Sequence, residues 1–258
     1  MNFLKNMLPK IYIILVPTMH STIVYAQLHY KNRVIKQFDR QIFESAKSLK
    51  NYVQSLERES NFSYTILLAC GQEQGLLRSC SHQEGLDLSS VEKVCYKNDW
   101  GLYIDKDGFF ELQKRYRCIG LDLLFSPYSL LTFEHKDMIE KVSGLYLLMT
   151  PKYLVAMVFK DEKAFFSELL QVPEWLVQED GACISEHYIK DIEQLVQQFY
   201  KESANKMFIE SIIIADAVGL EVAFENTLEE RLFVEVTKRS FSLETSLIAL
   251  ANEELECL

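Results

Sequence analysis

The sequence of 258 residues contains two similar segments about 134 residues apart, and this repeat limits the possible folds more than any single motif. The apolar run Ile11 to Val16, followed by Pro17-Thr18, resembles the run Leu145 to Met149, followed by Thr150-Pro151-Lys152. Two further apolar runs, separated by short polar turns, follow each copy. Because one structural unit is used twice, we predict a three-stranded meander in each half.

A helix and then a strand are predicted after each meander. In the first half, apolar residues recur at helical spacing between Ile42 and Leu56, and the short apolar run Tyr64 to Ala69 is typical of a buried strand. In the second half, the same spacing between Ile189 and Phe199 precedes the apolar run Ile209 to Ala215. The predicted fold is therefore α/β (α+β), with a duplicated β-β-β-α-β unit in which Tyr12 aligns with Tyr146.

The segment between the copies differs in composition from both copies, because it holds six of the nine glycines and three of the six cysteines. Asp107-Gly108 stands between two apolar runs, which predicts a β-hairpin. Leu121 to Pro127 then leads toward the second half. We therefore predict a first lobe at residues 1–70, an inserted subdomain with its connector at 71–140, and a second lobe at 141–258.

Composition and charge favour a folded protein that does not bind nucleic acid. The chain is 48% hydrophobic, which is enough for a sizeable core, and its formal net charge is -10. Such a charge repels a phosphate backbone on average, so we predict no nucleic acid among the partners.

The six cysteines are expected to be ordinary thiols in a reducing compartment, because they are irregularly spaced and form no C-x-x-C pair. The densest group of possible metal ligands is Cys80-x-His82, with Cys70 and Cys95 on either side. It lacks the paired short spacings of structural zinc sites, so we predict no metal.

The N-terminal segment has two interpretations. Lys5 and Lys10 precede the apolar run Ile11 to Val16, and Val24-Tyr25-Ala26 resembles a cleavage site, which is the pattern of an exported protein whose mature chain starts at Gln27. We favour a first core strand, because the run is short and has an internal counterpart. Nowhere do 18 or more apolar residues follow one another, so we predict no transmembrane helix.

The duplicated unit with a small insert in its first half resembles the actin-like, ribonuclease-H-like ATPase superfamily. Within it, the chain resembles the PilM-type proteins of type IV pilus assembly and the cytoplasmic part of the GspL-type proteins of type II secretion. This resemblance rests on the arrangement, on the Leu121 to Leu131 connector and on the Phe224 to Leu250 pattern.

The resemblance implies where a nucleotide would bind. The superfamily holds phosphates in the turn between the first two strands of each lobe, and a glycine-rich turn after the last strand of the second lobe faces the adenosine. In this sequence neither phosphate turn contains a glycine or an acidic residue, and both contain proline, which removes a backbone donor. The corresponding positions are Thr18, Ser21 and Thr22 in the first turn, Thr150 and Lys152 in the second, and Asp216 and Gly219 in the adenosine-side turn.

Because these turns are degenerate, we predict a protein without catalytic residues and without a cofactor. ATP is the one candidate cofactor. The resemblance implies a scaffold on the cytoplasmic side of the inner membrane, peripheral to it, that binds the tail of an inner-membrane platform protein and an assembly ATPase. Homo-oligomerisation stays open. The alternative function is a nucleotide-binding phosphotransferase of the same superfamily, and the alternative location is that of an exported protein with a cleaved signal.

Overall fold

A computed structural model describes residues 8–18, 20–31, 33–81, 85–173, 176, 181–202 and 207–257. The elements of the first half are β1 (Lys10–Pro17), β2 (Thr22–Tyr30), β3 (Arg33–Phe43), α1 (Ala46–Glu57), β4 (Phe62–Leu68), β5 (Gln74–Leu77), β6 (Val91–Cys95), a 3₁₀ turn (Lys97–Asp99), β7 (Gly101–Asp105), α2 (Lys106–Tyr116), β8 (Leu123–Phe125), α3 (Pro127–Glu134) and α4 (Lys136–Ile139). Those of the second half are β9 (Gly144–Met149), β10 (Tyr153–Lys160), β11 (Lys163–Gln171), α5 (Gly181–Glu202), β12 (Ser211–Asp216), α6 (Val222–Leu232), β13 (Glu235–Ser240) and α7 (Leu243–Cys257).

Two five-stranded sheets have the same topology, which confirms the predicted duplication. Their strand orders are β3-β2-β1-β4-β8 and β11-β10-β9-β12-β13. In each sheet the three meander strands are antiparallel, and the last two strands run parallel to the first. The first strand of each meander lies at the centre of its sheet and is buried on both faces, so it reads as a continuous apolar run.

The two copies match with a register that differs by two residues from the sequence alignment. Pro17 pairs with Thr22 across the first hairpin, and Met149 pairs with Leu154 across the second, so both turns have four residues. Thr18 is therefore equivalent to Thr150, and the alignment of Tyr12 with Tyr146 is wrong by two positions. Side chains on a strand alternate with a period of two, so both tyrosines still face the same core.

The insert forms a small sheet in the order β5-β7-β6, and its predicted hairpin is wrong. The strand β7 ends at Asp105, and α2 begins directly after it. The Asp105 carboxylate caps this helix by accepting a hydrogen bond of 2.9 Å from the Gly108 amide. Asp107-Gly108 thus lies in the first helical turn, where a Cβ at position 108 would lie 2.9 Å from Gln72 Cγ.

One strand of the 71–140 segment belongs to the first sheet. The strand β8 pairs in parallel with β4 through Ile66↔Leu123, Leu67↔Leu124 and Leu68↔Phe125. Its end is fixed by Ser126, whose hydroxyl caps α3 by accepting from the Tyr128 amide at 3.1 Å. The division into 1–70, 71–140 and 141–258 stays a prediction, and β8 would complete the first lobe from within the middle segment.

A single apolar core joins the two lobes. It contains residues from the facing sides of both five-stranded sheets, from α3 and α7, and from the insert. Two further cores lie on the outer faces, one under α1 and α2 and one under α5 and α6. The space between the lobes is therefore packed with apolar side chains, among them Tyr12, Tyr146, Tyr153 and Leu247.

Two of the cysteines expected to be ordinary thiols form a disulfide in the insert. Cys80 follows β5 and Cys95 ends β6, and the bond links these two segments. Cysteines far apart in sequence meet only through the sheet, so their spacing gave no signal. Cys70 and Cys118 form no disulfide with the described residues. His82, which belonged to the possible metal group, lies outside the described residues, and among those described no group of three or more His, Cys, Asp or Glu is placed to hold a metal.

The interpretation of Ile11 to Val16 as a core strand is confirmed. The strand β1 pairs with β2 on one side and with β4 on the other, and its residues from Ile11 to Val16 are at most 3% exposed. Cleavage after Ala26 would remove this strand and half of β2. Within the described part of the chain, no helix has the length and apolar character needed to cross a membrane.

Candidate functional site

The candidate site lies where the strands β1, β4, β9 and β12 end, between the two lobes. The four predicted phosphate-turn positions Thr18, Ser21, Thr150 and Lys152 lie in the two hairpin turns, and Thr22 begins β2. Asp216 ends β12, next to β9, and Gly219 follows it. The structure thus brings the predicted positions to the strand ends at which ligands of α/β sheets bind.

The first turn is closed by its own threonine. The Thr18 hydroxyl accepts a hydrogen bond from the Ser21 amide at 3.0 Å and shares another with the Ser21 hydroxyl at 2.8 Å. The Thr18 amide donates to the Ser21 carbonyl at 2.9 Å. Thr22 points elsewhere, because its hydroxyl bonds to the Tyr116 hydroxyl of α2 at 2.8 Å inside the protein.

The second turn repeats the same closure. The Thr150 hydroxyl accepts from the amides of Lys152 at 3.3 Å and Tyr153 at 3.1 Å, and the Thr150 amide donates to the Tyr153 carbonyl at 3.0 Å. The Tyr188 hydroxyl of α5 donates to the Thr150 carbonyl at 2.6 Å. Thr150 is 3% exposed, so this network is inaccessible to solvent.

The adenosine-side turn is closed by a carboxylate. Asp216 accepts from the amides of Val218 at 2.8 Å, Gly219 at 3.0 Å and Leu220 at 2.9 Å. The Lys238 ammonium lies 3.6 Å from the same carboxylate. Gly219 has φ +82°, which favours glycine. Three successive amides directed at one carboxylate form an anion-binding nest, and here the anion is a side chain of the chain itself.

Tyr153 occupies the space between the lobes. It is the last residue of the second turn, is 2% exposed and belongs to the shared core. Its hydroxyl lies beside Cys70, at the end of β4 of the first lobe, and makes no hydrogen bond to the described residues. Burial raises the pKa of the Tyr153 hydroxyl and that of the Cys70 thiol, so both stay protonated at neutral pH.

Polar contacts at the back of the site hold the lobes together. The Tyr12 hydroxyl of β1 donates to Asn252 of α7 at 2.5 Å. His135, between α3 and α4, is fully buried; its Nε2 donates to the Leu147 carbonyl at 3.2 Å, and its Nδ1 accepts from the Arg239 guanidinium at 3.3 Å. Burial, reinforced by the Arg239 charge, lowers the pKa of His135 to about 3, so the ring is neutral.

A groove of about 920 Å³ lies beside the site, between the insert and the second lobe. One wall is β5 and the other is β11, and each of these strands ends its own sheet. The acidic residues Glu73, Glu168 and Glu202 and the cation Arg78 line it, together with aromatic residues that include Tyr103. Burial raises the pKa of Glu168, whose carboxylate accepts from Gln198 at 3.3 Å.

Two features of the site had little signal in the sequence. Tyr153 is visible only as a bulky residue in the second turn, and its contact with Cys70 of the other lobe depends on the packing of the two sheets. The groove depends on β5 and β11 coming together from opposite halves. The self-closure by Asp216 has a local signal, since an aspartate before a glycine turn accepts from the amides that follow it.

Comparisons with known proteins support the same fold. Two domains of unknown function match parts of the chain, DUF8569 at residues 8–132 and DUF8341 at residues 183–256. A comparison with curated proteins gives no match. Among solved structures, a Bacteroides thetaiotaomicron protein with an actin-like ATPase fold and unknown function is similar, with 10% identity and a TM-score of 0.55 over 96% of this chain and 98% of that one.

The PilM-PilN type IV pilus biogenesis complex is also similar, with 8% identity and a TM-score of 0.52 over 88% of each chain. Identities this low speak for the fold alone. The protein therefore has the actin-like ATPase fold, as the duplicated sheets indicate, and the resemblance to PilM predicted from the sequence is confirmed at the level of structure.

Proposed function

We propose that this chain is a non-catalytic actin-like scaffold of a type IV pilus or type II secretion-like inner-membrane platform. It lies on the cytoplasmic side of the inner membrane, binds the tail of a membrane subunit and links it to the assembly ATPase. The observation that carries the proposal is the closure of all three nucleotide turns by the side chains of Thr18, Thr150 and Asp216.

Opening these turns to admit a nucleotide would cost free energy. A triphosphate would need the amides that these side chains accept from, and each buried group left without a partner costs about 1–3 kcal/mol. Moving Tyr153 out of the core adds about 2–3 kcal/mol for lost burial. Because every 1.4 kcal/mol weakens binding about tenfold, these terms together oppose nucleotide affinity by several orders of magnitude.

The groove between β5 and β11 supplies the partner site in this proposal. Both walls are strands at the end of a sheet, so an extended segment can add to either one by main-chain hydrogen bonds. Three carboxylates against one cation favour a basic segment. Cytoplasmic segments next to transmembrane helices are rich in Lys and Arg, so the tail of a membrane subunit has the complementary charge. The similarity to a complex of PilM with PilN supports a role in which an actin-like chain binds a partner.

Site-specific photocrosslinking in the native host tests this proposal. A photoreactive amino acid replaces Tyr103 in the groove, and a matched variant carries it at Phe110, which is 55% exposed on α2 and does not line the groove. We expect position 103 to capture an integral membrane protein with a short basic cytoplasmic tail, and position 110 not to capture it.

A synthetic peptide of the captured tail then gives an affinity. We expect binding that weakens at least tenfold in Glu73→Lys, because the substitution reverses an exposed charge of the groove. Capture of soluble proteins only, or a peptide affinity that Glu73→Lys leaves unchanged, would contradict the proposal.

A further inference from the structure

Phe233 is the most exposed large apolar residue among those described, at 91%. It follows α6 directly and adopts the left-handed conformation, with φ 55° and ψ 40°. Its amide closes the helix by donating to the Glu229 carbonyl at 2.8 Å. This position normally carries glycine, because a Cβ in the left-handed region is strained. Phenylalanine here is unfavourable both for the backbone and for the hydration of the ring.

The fold itself does not use this ring. The residues on either side, Leu232 and Val234, pack against the core of the second lobe, while Phe233 points away from it. The helix ends correctly through the backbone amide alone, so a glycine would serve the structure better. An aromatic side chain that strains the backbone and faces water is the kind of residue that anchors a protein interface.

A second exposed aromatic residue lies at the same end of the second sheet. Phe208 is 74% exposed and lies shortly before β12, just as Phe233 lies shortly before β13. The two strands pair in parallel from Ser211 and Glu235 onward. Paired strands lie about 4.8 Å apart, so the two segments that lead into β12 and β13 are neighbours. Within three residues of Phe208 or Phe233, the exposed charged residues that the structure describes are Glu210, Glu230, Arg231 and Glu235. The Arg231 guanidinium is paired with Glu186 at 2.9 Å, so the charge of the surface is mainly acidic.

We infer that Phe233 and Phe208 form a second docking surface, distinct from the groove, for a protein partner that presents an apolar socket bordered by Lys or Arg. The charge of the surface selects this occupant. An anionic lipid surface would be repelled by the three carboxylates. A second copy bound through the same surface would bring both acidic rims together, which opposes a symmetric dimer. The inference does not depend on the proposed function.

The test begins with a photoreactive phenylalanine analogue at position 233 of the full chain in its native host, with the same analogue at Phe110 as the matched control. We expect a protein captured from position 233 and not from position 110. The purified partner should bind the wild type with an affinity that falls at least tenfold in Phe233→Gly and in Glu230→Lys, and that decreases with salt.

Phe233→Gly also separates binding from folding. Relief of the left-handed backbone strain should raise the melting temperature by about 3 °C while binding is lost. Phe233→Asn, which also tolerates this conformation, should lose binding without unfolding. Cross-links to lipid, to a second copy or to nothing, or a partner whose affinity is unaffected by Glu230→Lys, would overturn the inference.

Discussion

The two hairpin turns that face each other across the lobes are closed in the same way but end differently. In both, a threonine hydroxyl accepts the amide hydrogen bonds of the turn. The fourth residue is Ser21 in the first turn and Tyr153 in the second. Ser21 stays within its own turn, whereas Tyr153 enters the shared core and contacts Cys70 of the other lobe. The two turns therefore share the same hydrogen bonds from backbone amides to a threonine, and the side chain of Tyr153 makes the second turn fill the site.

The largest difference between the turns should appear in stability. Tyr153→Ala removes a fully buried ring from the shared core and should lower the free energy of unfolding by about 3–5 kcal/mol. Ser21→Ala should cost under about 1 kcal/mol, because this residue is only partly buried. Urea denaturation measures both.

Tyr153→Phe is the control for the ring. The buried hydroxyl has no hydrogen-bond partner among the described residues, so its removal should leave stability unchanged or raise it by about 1 kcal/mol. Equal losses in Tyr153→Ala and Ser21→Ala would mean that the second turn does not fill the site.

Acid should weaken the contact between the connector and the second lobe. The pKa of His135 is lowered from 6.5 to about 3 in the folded protein, so the unfolded chain binds more protons between these values. Its contribution is complete above pH 6.5 and is lost as the pH falls toward 3, which amounts to a few kcal/mol.

The measurement is the slope of unfolding free energy against pH between 6 and 4 in wild type and in His135→Gln. We expect a shallower slope in the variant. His29→Gln in the first lobe is the comparison, because burial lowers the pKa of His29 too, but this side chain is only half-buried. A slope that responds equally to both substitutions would contradict the assignment.

Asp216→Ala should remove the internal anion of the adenosine-side turn. Three amides lose their acceptor, so we expect a loss of about 2–3 kcal/mol. The emptied nest should then bind inorganic phosphate weakly, which thermal stabilisation by phosphate detects. The matched control is Asp122→Ala, which removes a carboxylate that accepts one amide, that of Thr65 at 2.7 Å, outside the site. Phosphate stabilisation of the wild type equal to that of Asp216→Ala would show that the carboxylate does not close the nest.

The smallest predicted difference between the turns is in the stability that is lost when each turn threonine is replaced by valine. Thr150→Val should cost about 1–2 kcal/mol and Thr18→Val about 0.5–1 kcal/mol, because the amides around Thr150 are buried and those around Thr18 are partly solvated. Denaturation curves of the two variants give this comparison. A larger loss of stability in Thr18→Val than in Thr150→Val would contradict this prediction.

The duplication was predictable because the apolar runs of β1 and β9 are central strands buried on both faces. Their register was not, since a shift of two residues keeps every side chain on its face and leaves Tyr12 and Tyr146 in one core. The Asp107-Gly108 signal failed because Asp105 caps a helix there. The strand β8 was hidden because it is only three residues long and pairs with β4, which is far away in sequence.

The sequence shows that the two phosphate turns lack glycine and acidic residues, but it does not show which side chains close them. Threonine in a turn is common, and its role depends on which amides face it. The contact of Tyr153 with Cys70 and the pairing of Cys80 with Cys95 both join segments that only the tertiary structure brings together. The residues that the phosphate turns lack were therefore predictable, and the hydrogen bonds that close the turns and the long-range contacts of the site were not.

Calorimetric titration of the full chain with Mg-ATP tests the central claim most directly. Since Thr18, Thr150 and Asp216 already accept from the turn amides and Tyr153 fills the space between the lobes, we predict no saturable binding at concentrations up to about 1 mM, a limit that corresponds to roughly 4 kcal/mol of binding free energy. Saturable binding in the micromolar range or tighter would contradict the account and favour a nucleotide-dependent enzyme.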